Sequence, residues 1–322
     1  MLRLFVSALA LGFMIAPASA QEWPDRPVRV IVPFGAGGTS DALARTVTEK
    51  LSTAFKQQFV VENRTGAAGQ IGVQAIASAT PDGYTIGVTN VSTLSLIPVI
   101  NARTSYHPMN DFTHIAYMAG APVVLAVYPG LGIKSLKEFI DYAKKSNKPL
   151  TFASSGTGSD GHLVGEAVGA ALGLKFEHIP YRATGQALTD AVGGHVNFTM
   201  FTLSSTASFV REGTLTGIAV TSAERMPDYP NLPTFKELGH PGLVSSTWFS
   251  LSGPAKLPKD IAERINREVQ AAMAAPDVQQ KLRRDGLISQ PMGIEEFTRF
   301  VAAEGSRWKP LIESAGLVGK SE

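Results

Sequence analysis

The sequence contains no cysteine in 322 residues. Disulfides, thiolate metal sites, cysteine nucleophiles and a lipid-modified cysteine are therefore excluded. Charged residues are also scarce: they make up 17% of the chain, whereas roughly a quarter is usual for a globular domain. The formal net charge is only +2 and no basic run occurs, so nucleic acid is not expected as a partner.

Long apolar runs are absent beyond the N-terminus, where residues 4–15 form one. Arg3 precedes this run and the small residues 18–20 follow it, which is the pattern of a secretory signal peptide. The run is too short to span a bilayer comfortably, which argues against a membrane anchor. We therefore predict that residues 1–20 are a signal peptide, that cleavage follows Ala20, and that the mature protein is soluble in an extracytoplasmic space.

After residue 20, short apolar stretches alternate with helical patterns, and turn residues separate them. This alternation is typical of βαβ units and predicts an α/β fold with parallel strands. The length suggests two domains. A break near Pro122 and a strand-like return at Ser246 predict a discontinuous first lobe, residues 21–122 plus 246–322, with a second lobe, residues 123–245, inserted. Two such crossings would form a hinge.

The stretch at residues 28–55 predicts a small anion site. Residues 28–32 are apolar and predict a buried strand, and a four-residue apolar repeat from residue 43 to residue 55 predicts a helix. The turn between them is rich in glycine, and Thr39 or Ser40 is expected to cap the helix. Backbone N–H groups and the positive end of the helix dipole would then be available to an anion.

A second stretch repeats this pattern at residues 150–171. A short strand is followed by a turn of glycine and hydroxyl residues, and Ser159 is predicted to cap the helix that comes next. Two similar loops, far apart in sequence, indicate that each lobe offers a helix N-terminus to one shared ligand.

Two alternatives compete for the second loop. Gly156, Gly158 and Gly161 match the dinucleotide-binding pattern, and Glu177 follows at about the right distance for a ribose contact. The predicted export and the hydroxyl-rich turn oppose that interpretation. A secreted hydrolase that uses Ser159 and His162 is the other alternative, although no Gly-x-Ser-x-Gly elbow is present. No pair of histidines has metal-ligand spacing on one helix face, so neither a metal site nor a cofactor is predicted.

Asp41 stands at the start of the first predicted helix. A carboxylate there would repel an anion, but it is favoured by the helix dipole and can accept backbone N–H groups. We therefore expect a structural role for Asp41. Direct contact with a ligand would imply an ammonium or hydroxyl group on that ligand.

Several of these stretches together resemble the Bug family, the extracytoplasmic solute receptors of tripartite tricarboxylate transporters. The matching stretches are residues 23–41, 61–66, 81–85, 155–162, 180–185, 219–221 and 233–234. They follow one another in order along essentially the whole mature chain, and this makes the resemblance more specific than any single motif.

The resemblance implies a type II periplasmic binding protein with two lobes, a hinge and a ligand cleft between the lobes. A carboxylate would be held by two loops acting as pincers, residues 34–41 and 155–162, through backbone amides, hydroxyls and waters. It further implies a monomeric, non-enzymatic receptor in the periplasm that delivers a small carboxylate to integral-membrane permease subunits. The implied ligand-binding residues are Phe34, Gly37, Gly38, Thr39, Asp41, Ser92, Ser155, Gly156, Thr157, Gly158, Ser159, His162 and Thr202.

One departure from the family affects the expected ligand. Many members have an acidic residue and an amide after the strand that ends near Phe201, whereas this chain has Thr202 and Leu203. We therefore expect a ligand whose far end is less polar than a tricarboxylate, such as an aliphatic or aromatic dicarboxylate, although Arg182 could also reach the cleft. A receptor that acts mainly in signalling is a further alternative.

Overall fold

The structure is a computed structural model that describes residues 23–101, 104–314 and 317–318. The predicted signal peptide, residues 1–20, lies outside the described residues. The strands are β1 (Val28–Val32), β2 (Phe59–Asn63), β3 (Thr85–Asn90), β4 (Phe112–Ala121), β5 (Val123–Val127), β6 (Leu150–Ser154), β7 (Phe176–Pro180), β8 (Phe198–Thr202), β9 (Thr216–Val220) and β10 (Thr247–Pro254). The α-helices are α1 (Thr39–Phe55), α2 (Gln70–Ala77), α3 (Ile97–Ile100), α4 (Leu136–Lys145), α5 (Asp160–Leu172), α6 (Thr184–Val192), α7 (Leu203–Arg211), α8 (Lys259–Ala274), α9 (Pro276–Arg284) and α10 (Ile294–Ser314).

The strands form two five-stranded sheets with the same internal plan. The first sheet has the order β2-β1-β3-β10-β4, and the second has the order β7-β6-β8-β5-β9. We call the part of the molecule built on the first sheet lobe 1 and the part built on the second sheet lobe 2. In each sheet three strands are parallel, and the strand that has crossed from the other lobe, β10 or β5, pairs antiparallel to both neighbours. The sheets are therefore mixed, not purely parallel as the alternation predicted.

Each sheet is covered by helices on both faces, so its strands are apolar on both sides. In β1, four of the five residues are buried. The predicted apolar repeat of α1 is confirmed, because Leu43, Val47 and Leu51 are buried in one cluster with residues of α8. On the opposite face of the first sheet, residues of α2 and α10 form a second cluster. In lobe 2, α4 and α5 cover one face of the sheet while α6 and α7 cover the other.

The two lobes are joined by closely tied crossings, at Pro122 between β4 and β5 and at the residues just before β10. Thr221 connects the two crossings. Its hydroxyl accepts from the Val123 N–H at 2.9 Å and donates to the Ser245 carbonyl at 2.9 Å. Its backbone N–H donates to the Val123 carbonyl, and its carbonyl accepts from the Ser245 N–H, both at 2.9 Å. Thr221 therefore ties the two crossings together through four hydrogen bonds.

We predict that Thr221→Val lowers the free energy of unfolding by about 2–4 kcal/mol, because it leaves a buried N–H and a buried carbonyl without their partner. Thr221→Ser keeps the hydroxyl, removes one methyl group and should cost only about 1 kcal/mol. Urea unfolding followed by circular dichroism measures both variants. Equal losses in the two variants would show that the hydroxyl does not hold the crossings together.

Candidate functional site

Two loops follow the carboxyl ends of corresponding strands and meet the opposite lobe. The first loop, residues 33–38, follows β1 and leads into α1, and the second loop, residues 155–159, follows β6 and leads into α5. In sheets of this kind, ligands bind outside the carboxyl ends of the strands. Both loops lie in the cleft between the lobes, where the sequence predicted them to lie.

The first loop approaches lobe 2 closely at Gly35. A Cβ at Gly35 would lie 2.9 Å from the Cβ of Ala183 and 3.1 Å from the Arg182 carbonyl oxygen, so a side chain there does not fit. The backbone conformation of Gly35 is one that other residues adopt, because its φ is not positive. Glycine is therefore required at this position by the contact between lobes.

Thr39 carries a hydrogen bond across the cleft. Its hydroxyl lies 2.7 Å from the Thr202 hydroxyl and 2.5 Å from the Ser204 hydroxyl. The predicted cap of α1 by Thr39 or Ser40 is wrong: the N-cap is Gly38, without a side-chain hydrogen bond, and both residues lie inside the helix. The Thr39 hydroxyl therefore forms hydrogen bonds with lobe 2 and not with the backbone of its own helix.

Asp41 stabilises the conformation of the first loop through hydrogen bonds. Its carboxylate accepts from Arg45 Nε at 3.1 Å and from Asn63 Nδ2 at 3.0 Å, and the Gly37 backbone N–H also donates to it. Asn63 Nδ2 in addition donates to the Phe34 carbonyl at 2.9 Å. Burial alone would raise the pKa of Asp41, but the hydrogen bonds and the Arg45 charge outweigh burial and lower it. The expected structural role of Asp41, as an acceptor of a backbone N–H group, agrees with this geometry.

The second loop is held by a serine cap and two histidines. Ser159 caps α5 as predicted, because its hydroxyl accepts from the His162 N–H at 3.3 Å, and it donates to the Ser154 hydroxyl at 3.2 Å. The Gly158 N–H donates to His162 Nδ1 at 3.1 Å, and the His162 ring stacks on His178 with centroids 4.0 Å apart. Burial and the neighbouring imidazole lower the pKa of His178 to about 3.

The second loop packs against lobe 1 with backbone facing it. A Cβ at Gly156 would lie 3.6 Å from the Cα of Ala68. A Cβ at Gly158 would lie 3.7 Å from Ile97 Cγ1 in α3. Each loop therefore reaches across the cleft to the opposite lobe, and the lobes are closed on one another.

Asp160, the first residue of α5, adds a polar bridge between the lobes that sequence reasoning missed. Thr247 Oγ1 and Ser92 Oγ, both in lobe 1, donate to its two carboxylate oxygens, the latter at 3.3 Å. The Asp160 N–H donates to Ser92 Oγ at 3.0 Å. Burial raises the pKa of Asp160, although the hydrogen bonds from Thr247, from Ser92 and from backbone N–H groups oppose that rise. Its partners are 68 and 87 residues away in sequence, so no local sequence pattern could have predicted these contacts.

The space between the two loops has two parts. An inner chamber of about 30 Å³ lies at the carboxyl ends of β1, β3, β6 and β8. An outer chamber of about 450 Å³ lies between the second loop and residues 65–71 of lobe 1. Phe34 and Ser155 line both chambers, which are therefore adjacent. The inner chamber is lined by Phe34, Gly38, Thr39, Ser40, Asn90, Ser155, Asp160, Thr184, Met200, Phe201, Thr202, Ser205 and Phe249.

The outer chamber is also lined by Arg182, Asn101 and the residues of the second loop from Ser155 to Gly158. Another cavity of about 450 Å³ lies behind the first loop, among α1, α7 and α9. No residue of the second loop lines that cavity. We therefore place the candidate site in the inner and outer chambers, which both loops enclose.

The structure divides the predicted site residues into two groups. Residues that line the inner or outer chamber are Phe34, Gly38, Thr39, Ser155, Gly156, Thr157, Gly158 and Thr202. Residues that line neither are Gly37, Asp41, Ser92, Ser159 and His162. Gly37 lines the cavity behind the first loop, and the other four form the hydrogen bonds given above. Asn90, Asp160, Thr184 and Ser205 were not among the named ligand-binding residues, although Asp160 lies within the predicted pincer 155–162 and Asn90 ends a strand beside β1.

Leu203 does not face the ligand space, contrary to expectation. Its side chain is fully buried in a cluster with Val124 and Val220, and a Cβ at Gly286 would touch it. The apolar character of Leu203 therefore belongs to the lobe 2 core, and only Thr202 of that pair lines the inner chamber.

The described residues offer neither a metal-binding cluster nor a membrane span. Among them, no group of three or more histidine, aspartate or glutamate side chains is placed to hold a metal ion. In the same part of the chain, no helix has both the length and the apolar character needed to cross a membrane.

Comparison with known proteins gives consistent matches over nearly the whole chain. The family model described as "Tripartite tricarboxylate transporter family receptor" matches residues 43–317. Protein BugT of Bordetella pertussis is 31% identical over 313 residues, which are 96% of this chain and 95% of BugT.

Solved structures agree in fold. R. palustris Rpa4515, solved with adipate, has a TM-score of 0.88 and 32% identity, covering 92% of this chain and 99% of that one. MatC from Rhodopseudomonas palustris, solved with bound malate, has a TM-score of 0.85 and 29% identity, covering 90% and 100%. The predicted two-lobed binding-protein fold and the resemblance to the Bug family are confirmed. The chain belongs to the tripartite tricarboxylate transporter receptor family.

Proposed function

We propose that this protein is a periplasmic receptor that encloses a small carboxylate between its two loops and delivers it to the permease subunits of a tripartite tricarboxylate transporter. One observation carries the proposal: both loops, one from each lobe, enclose the same pair of chambers. The relatives Rpa4515 and MatC, which carry adipate and malate, support a dicarboxylate as the ligand.

The chemistry of the loops suits an anion that must be released again. The loops offer backbone N–H groups and hydroxyls and contain no lysine or arginine. A fixed buried cation would need a partner whenever the ligand is absent, whereas neutral donors can return to water when the cleft opens. Each hydrogen bond to a charged ligand contributes about 1.5–3 kcal/mol.

We further propose that the protein is not an enzyme. The Ser159 hydroxyl is fully buried and is occupied as a helix cap, and the ring of His162 accepts a hydrogen bond from the loop backbone. Both groups thus serve the shape of the second loop. If the protein were a secreted hydrolase, a turnover assay would detect product. If it were a receptor that acts mainly in signalling, deletion of its gene would leave carboxylate uptake unchanged. Neither outcome is expected here.

Capture is proposed to be a property of the monomer. The lobes, residues 21–122 plus 246–322 and residues 123–245, would open and close about the crossings that Thr221 ties together. The permease would then recognise the closed form. A thermal-shift screen against a carboxylate panel is the first test, because a ligand that binds only the native state raises its melting temperature.

Export should remove the first 20 residues. Arg3, the apolar run and the small residues before Gln21 motivate this expectation. N-terminal sequencing of protein from a periplasmic extract should therefore begin at Gln21. Recovery of chains that still begin at Met1 would refute it.

We predict that Gly35→Ala weakens carboxylate binding about tenfold or more while the fold is kept. The added methyl group would meet Ala183 only when the lobes are closed, and a clash of this kind costs about 1–3 kcal/mol. Isothermal titration with adipate and malate measures the effect.

Gly293→Ala is the matched control, because a Cβ at Gly293 meets nothing within 4 Å. It should bind like the parent protein. If Gly35→Ala also binds like the parent, ligand capture does not require the closed contact described here, and the proposed clamp is wrong.

A further inference from the structure

The inner chamber contains one charged group and no counterion. Among the described residues that line it, Asp160 is the only one with an ionisable side chain, and the others present hydroxyls, one amide, backbone and apolar surface. No described cation forms an ion pair with Asp160, and Arg182 lines the outer chamber and not the inner one. A ligand that enters the inner chamber would therefore meet Asp160 as the one ionisable residue among the described lining residues.

This carboxyl group is fixed in place from both lobes. The hydroxyls of Ser92 and Thr247 hold its two oxygens from lobe 1, while its backbone belongs to α5 of lobe 2. It is 8% exposed. Burial raises the pKa of Asp160 although hydrogen bonds from Thr247, Ser92 and backbone N–H groups oppose the rise, so a further donor from a ligand would favour its charged form.

The size of the inner chamber limits what can approach. Its volume of about 30 Å³ accommodates one or two water-sized groups. A ligand carboxylate there would place two like charges in one small site. The group that fits is a single hydrogen-bond donor, a hydroxyl or an ammonium.

The outer chamber has room for the rest of the ligand. Its volume of about 450 Å³ is within the range of small-molecule sites. Residues 155–158 and Arg182 line it and carry donors suited to carboxylates. A ligand can thus place its carboxylates in the outer chamber while one substituent on its carbon skeleton passes Phe34 and Ser155 towards Asp160.

We propose that Asp160 is a specificity-determining residue that selects small carboxylates bearing a hydroxyl or ammonium substituent over the unsubstituted acid of the same chain length. This inference rests on the proposed function and names the ligand class of the same site. A hydroxyl and an ammonium substituent would both donate a hydrogen bond to the Asp160 carboxylate. Ligands that differ only in this substituent distinguish between the two.

The test is isothermal titration of the mature protein with two matched sets of acids. One set is succinate, malate and aspartate, and the other is adipate and 2-aminoadipate. The substituted acids should bind about 10- to 100-fold more tightly than the unsubstituted acid of the same length, which is the effect of one hydrogen bond to a charged group. Tighter aspartate than malate would identify the ammonium as the better donor, and the reverse would identify the hydroxyl.

Asp160→Asn should bring the ratio between substituted and unsubstituted acids close to one, while binding of succinate or adipate stays the same or improves. Gly293→Ala is the control, because a Cβ there meets nothing within 4 Å and the substitution leaves Asp160 and its partners unchanged, so the preference should survive. A purely structural role for Asp160 would weaken every acid by the same factor in Asp160→Asn and leave the ratio unchanged.

Three results would overturn the inference. The first is equal binding of succinate, malate and aspartate by the parent protein, which decides the matter even if Asp160→Asn does not fold. The second is an unchanged ratio in a folded Asp160→Asn. The third is no binding of any acid, and that result alone would also overturn the proposed function.

Discussion

The close approach of two backbones across the cleft is the constraint on which the rest of the structure depends. The first loop meets lobe 2 at Gly35, where even a methyl group would lie within van der Waals overlap of Ala183. The second loop meets lobe 1 through Gly156 and Gly158. Because these contacts bring backbone instead of side chains to the interface, the lobes meet without long side chains that must be ordered.

Hydroxyl groups supply the polar contacts that accompany this closure. Thr39 bonds to Thr202 and Ser204 in one place, and Ser92 and Thr247 bond to Asp160 in another. A hydroxyl can donate or accept, so each of these groups can pair with water when the cleft is open. Closure therefore replaces hydrogen bonds to water with hydrogen bonds of similar strength between the lobes. A bound ligand can then shift the equilibrium between the open and closed forms.

Local patterns in the sequence predicted the elements and the loops well. The apolar repeat of α1 and the Ser159 cap of α5 depend on neighbours three or four residues away, and both are as predicted. The failures involve distant partners. Thr39 does not cap its helix because its hydroxyl bonds to Thr202, 163 residues later, and Leu203 faces the lobe 2 core because of the way α7 packs. Asp160 lies within the predicted pincer 155–162, but its bridge between the lobes was not predicted, because its buried position there exists only in the folded molecule.

The central claim is that a carboxylate bound between the two loops closes the lobes, and solution X-ray scattering tests it most directly. The mature protein should show a smaller radius of gyration with a saturating carboxylate ligand than without ligand, and its liganded scattering curve should match that calculated from the closed structure. Identical curves with and without a ligand that demonstrably binds would contradict the claim, because capture would then occur without closure.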